Sequence, residues 1–493
     1  MTEEKSSYRE IMKGTSIFGG VKVFTIFISI IRTKIIAVLL GPAGIGVLGL
    51  LNTTIGFIAS LTEFGLKTSA VKDIAAANST QNKTSIAVTI TVLRRLVWIT
   101  GVLGGILVLM LSPWLSQLTF GNKEYTLAFI WLSITLLFMQ LTNGQLVILQ
   151  GMHKLKLLAK ANIYGSALGL VVTLPFYYIY GIDGIVPGII GTSLVALFLS
   201  WYFAKEITIE KVKLSYTQTF SEGKNMLRVG FFISLSSLLT LGASYIVRIF
   251  ISRIGNVEQV GLYTAGFAII NTYVGLIFTA METDYYPRLS AVAHDNKLSK
   301  QNINKQAEIA ILILAPILII FLVFLNWVVI LLYSKQFIAV SPMIYWAALA
   351  MFFKAASWPI AFIFLAKGTG KLFFLNELIG NIYFLALNLL GYYFLGLTGL
   401  GLSFLISFFL YLIQVYIITK IKFKFSYDSA FIKIFVLQFL LAMASFLTVK
   451  FLKSPYPYFV GGVLILISSW YSWNELDKRL DLKTLFRNIK NKF

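Results

Sequence analysis

Apolar runs of membrane length recur from one end of this chain to the other, and nothing else in the sequence limits its fold so strongly. Hydrocarbon offers no partner to a free N–H or C=O, so runs of this length cross a bilayer as α-helices with their backbone bonds closed internally. The 493 residues are 58% hydrophobic and only 13% charged, with a mean hydropathy of +0.82. A soluble domain carries about 25% charged residues. About fourteen runs approach the roughly 20 residues that a bilayer requires. The last two cover residues 431–452 and 456–473. The expected class is therefore an all-α integral membrane protein.

Charge placement supports that count. With the N-terminus inside, the even-numbered connections hold about thirty lysines and arginines, and the opposite ones about five. Lys154, Lys156 and Lys160 fall on the first side, as do Lys420, Lys422 and Lys424; Lys123 and Lys335 fall on the other. Both termini are thus expected in the cytoplasm. The net charge of +22 then reads as a topology signal and an attraction to anionic lipid, and no nucleic-acid partner is expected. Residues 1–13 mix acids with bases and precede no cleavage site, so the first helix is expected to be retained.

Other chemistries are excluded by composition. The chain has no cysteine, hence no disulfide, thiolate metal site or cysteine nucleophile. His153 and His294 are too few and too far apart in sequence to suggest a metal centre. No phosphate-binding GxxxxGK[ST] occurs, so ATP hydrolysis by this chain is not expected. No cofactor is expected, and the energy source is left to an ion gradient or the membrane potential.

The chain repeats itself. YYIYGIDGIVPGIIGTSLVALFLSWYFAK, from position 177, aligns with YYFLGLTGLGLSFLISFFLYLIQVYIITK, from position 392, at a constant offset of 215 residues. Gly181 falls on Gly396, Gly184 on Gly399 and Lys205 on Lys420. NTTIGFIASLTE at Asn52 matches NTYVGLIFTAME at Asn271, with the offset now 219. The expected organisation is two pseudo-symmetric six-helix bundles, residues 1–204 and 228–420, joined by a cytoplasmic linker at 205–227. A further helix pair at 421–473 and an amphipathic tail at 474–493 complete it. Folds of this kind hold substrate between their halves and alternate its access to the two sides.

Charges inside the runs mark the candidate site. A cation at the centre of a span costs roughly 2.5–3.5 kcal/mol on insertion scales and is a functional hypothesis by default. Lys354, in MFFKAASWPI, is the deepest, and Pro359 just after it is expected to open the backbone nearby. Arg32 and Lys34 lie inside the first span, Arg248 takes a similar place in the seventh, and Arg253 lies nearly at that span's end. Lys34 and Arg253 suit interfacial anchoring as well as a cavity. Asn52 and Asn271 could hydrogen-bond sugar hydroxyls or bind helix to helix; both readings stay open. No acid lies at mid-bilayer, so an anion is the better passenger than a cation.

One stretch resembles a known family. RTKIIAVLLGPAGIGVLGLL, from Arg32, is similar to the first-helix and turn signature of the Wzx-type polysaccharide flippases of the MOP superfamily. The resemblance implies a transporter and not an enzyme. It implies translocation of an undecaprenyl-pyrophosphate-linked oligosaccharide, such as an O-antigen unit of lipopolysaccharide, to the outer leaflet of a bacterial inner membrane. Membrane lipids and other polysaccharide assembly proteins are the further partners it implies. Cationic residues hold the lipid-linked phosphates in such proteins; Arg32 corresponds at the motif, while Lys354 rests on depth alone. Two rivals are a multidrug or ion-coupled extruder of the same superfamily, disfavoured by the missing acid, and a glycan polymerase, disfavoured by short external connections.

Overall fold

The computed structural model describes residues 3–210 and 212–480, with side chains described from Phe24 onward apart from a few positions in the seventh to ninth helices and Leu480. Leu485 and Ile489, expected on the apolar face of the tail, lie outside the described residues. Among those described there is no strand. Two compact units emerge. The first runs to Gly261 and takes in Leu332–Ser334; the second holds Leu262–Leu331 and the chain from Lys335 onward. The polar stretch around residues 205–227 thus lies within the first unit.

The first unit contains α1 (Glu3–Thr62), α2 (Leu66–Ser79), α3 (Lys83–Phe120), α4 (Thr126–Gly151), α5 (Leu155–Tyr180), α6 (Ile185–Ala204) and α7 (Tyr216–Ile254). The boundary falls inside α8 (Val257–Ala268). Its helix ends are closed by side chains where the sequence provides them. The Asn82 side chain accepts from the backbone N–H groups of Thr84 and Ser85 and starts α3. Ser215 and Gln218 form a reciprocal capping box on α7. The core gathers Ile74 of α2, Ile90, Leu93 and Leu96 of α3, and Val147 and Ile148 of α4.

The second unit follows with α9 (Leu276–Ala291), α10 (Asn296–Val323), α11 (Leu325–Leu332), α12 (Ser341–Ala366), α13 (Gly370–Phe423), α14 (Ser429–Phe451) and α15 (Tyr456–Leu480). A π-helical turn, Ile269–Val274, links α8 to α9. α12 is the central helix of this unit: it packs on α13, α10, α9 and α14, and is buried on nearly every side.

Among the described residues, ten helical stretches are long and apolar enough to cross a membrane. Three of them break at a glycine with positive φ. Phe24–Thr62 breaks at Gly41 (φ 64°), directly before Pro42. Leu155–Ala204 breaks at Gly181 (φ 57°, ψ −128°) and Gly370–Phe423 at Gly396 (φ 58°, ψ −139°). Only glycine takes these backbone angles without strain. The two residues paired by the sequence repeat therefore make the same turn. The breaks reconcile ten long stretches with the higher number of spans expected. α15 is not among the ten, because Ser468, Ser469, Ser472 and its aromatic residues dilute its apolar character.

Candidate functional site

Lys354 sits near the middle of α12. Its neighbours along the helix (Ala350, Met351, Ala355, Ala356) are buried, and Lys354 itself is half-buried. Two rings flank it. The nitrogen lies 5.3 Å from the centre of Phe278 on α9 and 5.4 Å from that of Phe408 on α13. No carboxylate among the described residues comes within ion-pair reach of it. Each cation–π contact returns about 0.5–2 kcal/mol. Together the two are of the order of the roughly 2.5–3.5 kcal/mol that embedding the charge costs. The site is a cation held by rings, with no carboxylate partner among the described residues, and an anionic ligand would supply the missing countercharge.

Pro359 stands five residues after Lys354, inside a helix that runs without a break from Ser341 to Ala366. Proline lacks the N–H that would bond the carbonyl four residues earlier, and its ring crowds that carbonyl. Side-chain hydroxyls reach the neighbouring carbonyls instead. Ser357 donates to the carbonyl of Lys354 itself at 3.3 Å. Tyr427, from the segment before α14, donates to Ala356 at 2.8 Å. Tyr285, from α9, donates to the carbonyl of Pro359 at 2.7 Å.

The cations of the first unit are bound differently. Arg248 is 7% exposed and donates to the carbonyl and the hydroxyl of Ser244, one turn back on its own helix. Arg253 donates to the carbonyls of Gln117 and Leu118 and so closes the last turn of α3. Arg32 is half-buried on α1 and faces the hydroxyl of Tyr177 on α5, a side chain only 1% exposed. Lys34 is half-buried on the same helix. Asn52 is exposed. Asn271 lies in the π-helical turn of the second unit and donates to the Phe267 carbonyl at 3.3 Å. The structure thus gives the cations of α1 and α7 three separate settings: an own-helix bond, a helix cap and a buried phenol.

Phe278, Phe408, Tyr285 and Tyr427 were not legible as site residues, because aromatics at helical spacing are ordinary core. Tyr177 carried one signal: it opens the repeated YY motif, and its counterpart Tyr392 is also buried, at 4% exposure.

Comparison with known proteins agrees with this architecture. Residues 35–342 match the family described as polysaccharide biosynthesis protein. A Shigella flexneri protein described as an O-antigen transporter is 26% identical over 292 residues, covering 58% of this chain and 68% of that protein. Among solved structures, the lipid II flippase MurJ in an inward closed conformation superposes with a TM-score of 0.69 at 14% identity, over 94% of this chain and 99% of that one. An inward-facing multidrug MATE transporter of the MOP superfamily gives 0.65 at 19% identity, over 82% and 95%. At such identities the likeness is one of fold. The family match spans more than half the chain, and with it the chain belongs to the polysaccharide biosynthesis proteins, as a multi-pass membrane protein.

Proposed function

We propose that this protein carries a lipid-linked oligosaccharide, anchored through an undecaprenyl pyrophosphate, from the cytoplasmic to the outer leaflet of a bacterial inner membrane by alternating access. The observation that carries the reading is Lys354: an ammonium in an apolar span, between two rings, with no carboxylate partner among the described residues. A drug or cation extruder has no use for a positive charge without a carboxylate partner at that place. A pyrophosphate does, since a buried lysine meets it as a point charge. The relative's description as an O-antigen transporter supports the same substrate class.

The direction of transport has a physical basis. Moving negative charge outward across an inside-negative membrane is favourable by about 2.3 kcal/mol per charge per 100 mV. The membrane potential then contributes to the driving force when the lysine stays behind. Arg32 is the second contact we assign to the passenger, through its place on α1. Lys354→Ala and Arg32→Ala should each abolish transport with membrane insertion intact; full activity in both would remove the anion-contact reading.

The direct experiment is depletion of the protein followed by analysis of lipid-linked glycans and their sidedness. Build-up of one undecaprenyl-linked oligosaccharide on the cytoplasmic face is the expected result and names the glycan. Unchanged glycolipids with accumulation of a dye or cation would replace the flippase by the extruder.

A further inference from the structure

The hydroxyls of Tyr285 and Tyr427 meet α12 on either side of its proline, at the carbonyls of Pro359 and Ala356. Both side chains are held firmly. Tyr285 is 1% exposed and packs against Trp358 and Phe362, ring centres 5.4 and 5.9 Å away. The Tyr427 ring stacks on Phe431 at 4.3 Å and runs parallel to Tyr416 at 5.7 Å. The segment that carries Tyr427 is itself pinned to α10. Asn304, 2% exposed, donates to the Ser426 carbonyl at 3.1 Å and accepts from the Asp428 N–H at 2.9 Å. Lys300 pairs with the Asp428 carboxylate at 3.3 Å.

We infer that Tyr285 and Tyr427 are positioning residues: they fix the course of α12 about Pro359, and through it the Lys354 ammonium, and Tyr427 makes the segment before α14 part of the site. The physical reason is the proline. A helix that lacks one backbone bond at Pro359 can bend there to more than one angle. Two external donors at defined carbonyls select one of those angles. Lys354 lies within two residues of the nearer one, so a change of bend moves its nitrogen relative to Phe278 and Phe408. This gives the added helix pair a task. Its N-cap, Asp428, directly follows the tyrosine that latches α12, so a shift of α14 reaches α12 beside Lys354 through one hydrogen bond. The role assigned to Lys354 itself rests on the transport reading above; the latch does not.

The test uses the full chain, whose lack of cysteine allows spin labels to be placed without background. Labels at Pro342→Cys and Gly370→Cys, both exposed, report the span of α12 by electron spin distance measurement. The variants are Tyr285→Phe, Tyr427→Phe and the pair together, each losing a hydroxyl and keeping its ring. Purified protein is also titrated with undecaprenyl pyrophosphate. The expected result is a broader, shifted distance distribution in the double variant, and binding weakened roughly five- to tenfold. In a Lys354→Gln background the same substitutions should weaken binding no further, since tyrosines acting only through Lys354 have nothing left to position. An unchanged distance distribution in the double variant overturns the inference. Equal additional weakening with and without Lys354 overturns it too, by showing that the hydroxyls act on the lipid independently. If the distance shifts while Lys354→Gln itself leaves binding intact, the latch stands and the anion contact falls.

Discussion

Arg248 and Lys354 are both cations inside apolar helices, one in each compact unit, and the protein treats them in opposite ways. Arg248 is returned to its own helix: the guanidinium bonds the carbonyl and hydroxyl of Ser244. A fork of five donors can do this, since one bond spent locally leaves others for neighbours. Lys354 has no such arrangement. Its ammonium faces two phenyl rings, and the hydroxyl nearest in sequence, that of Ser357, is turned to the backbone. A span can carry a cation for architecture or for a ligand, and the distinction lies in whether the charge is already spoken for by the protein.

The largest effect that could break this comparison is on transport. Lys354→Gln should reduce glycolipid translocation by about a hundredfold or more, the scale of truncating one side of a buried charge contact. The same substitution should raise thermal stability of the substrate-free protein by about 1 kcal/mol, because an embedded charge with no carboxylate partner among the described residues is removed. A drop in both activity and stability would show that Lys354 is structural. Next come the matched turns. Gly181→Ala and Gly396→Ala each force a side chain into a left-handed backbone, at a cost of about 1–3 kcal/mol read from melting. Similar losses at both would show that the two units depend on the same turn even though their cations differ.

Smaller effects sharpen it. Gln438 of α14 bonds the hydroxyls of Ser468 and Ser472 and the carbonyl of Ser468 on α15, a fully buried polar clasp. Gln438→Leu should cost roughly 0.5–1.5 kcal/mol in melting, in the range measured for bonds between membrane helices, with transport altered less than by Lys354→Gln. Arg248→Met should reduce translocation by no more than about threefold, since an apolar side chain of similar length can replace a guanidinium that bonds back to its own helix. A loss as deep as that of Lys354→Gln would end the distinction between the two cations.

The smallest effect concerns the end of α15. Lys478 and Arg479 hydrogen-bond the Glu475 carboxylate and hold its pKa below the usual range, and Arg479 also pairs with Glu308 of α10 at 2.7 Å. A depressed carboxylate pKa stabilises the folded state above the ordinary carboxylate value. That contribution is lost as pH falls through the folded pKa. Hydrogen exchange in the last turns of α15 should therefore speed up on acidification below the ordinary carboxylate range, and Glu475→Gln should remove the pH dependence. The surface position keeps the change small.

Much of this architecture could be read from the chain before any coordinates. Membrane-length runs determine helices, because lipid leaves backbone groups no alternative. The repeat located equivalent glycines, and Gly181 and Gly396 do share a backbone conformation, since a turn between two spans needs a φ that only glycine takes freely. The depth of Lys354 and its nearby proline were equally plain, as both follow from counting along one helix. What surrounds that lysine was not. Phe278 comes from α9, Phe408 from α13, Tyr285 from α9 and Tyr427 from the segment before α14, and nothing in their local sequences sets them apart from other core aromatics. Arg248 and Arg253, close in sequence, parted for the same reason: one found its own helix and the other the end of α3. Hydrophobic length and local backbone chemistry act along the chain and are visible in it. Which groups meet a charge depends on how helices distant in sequence pack, and that was decided only in the tertiary structure.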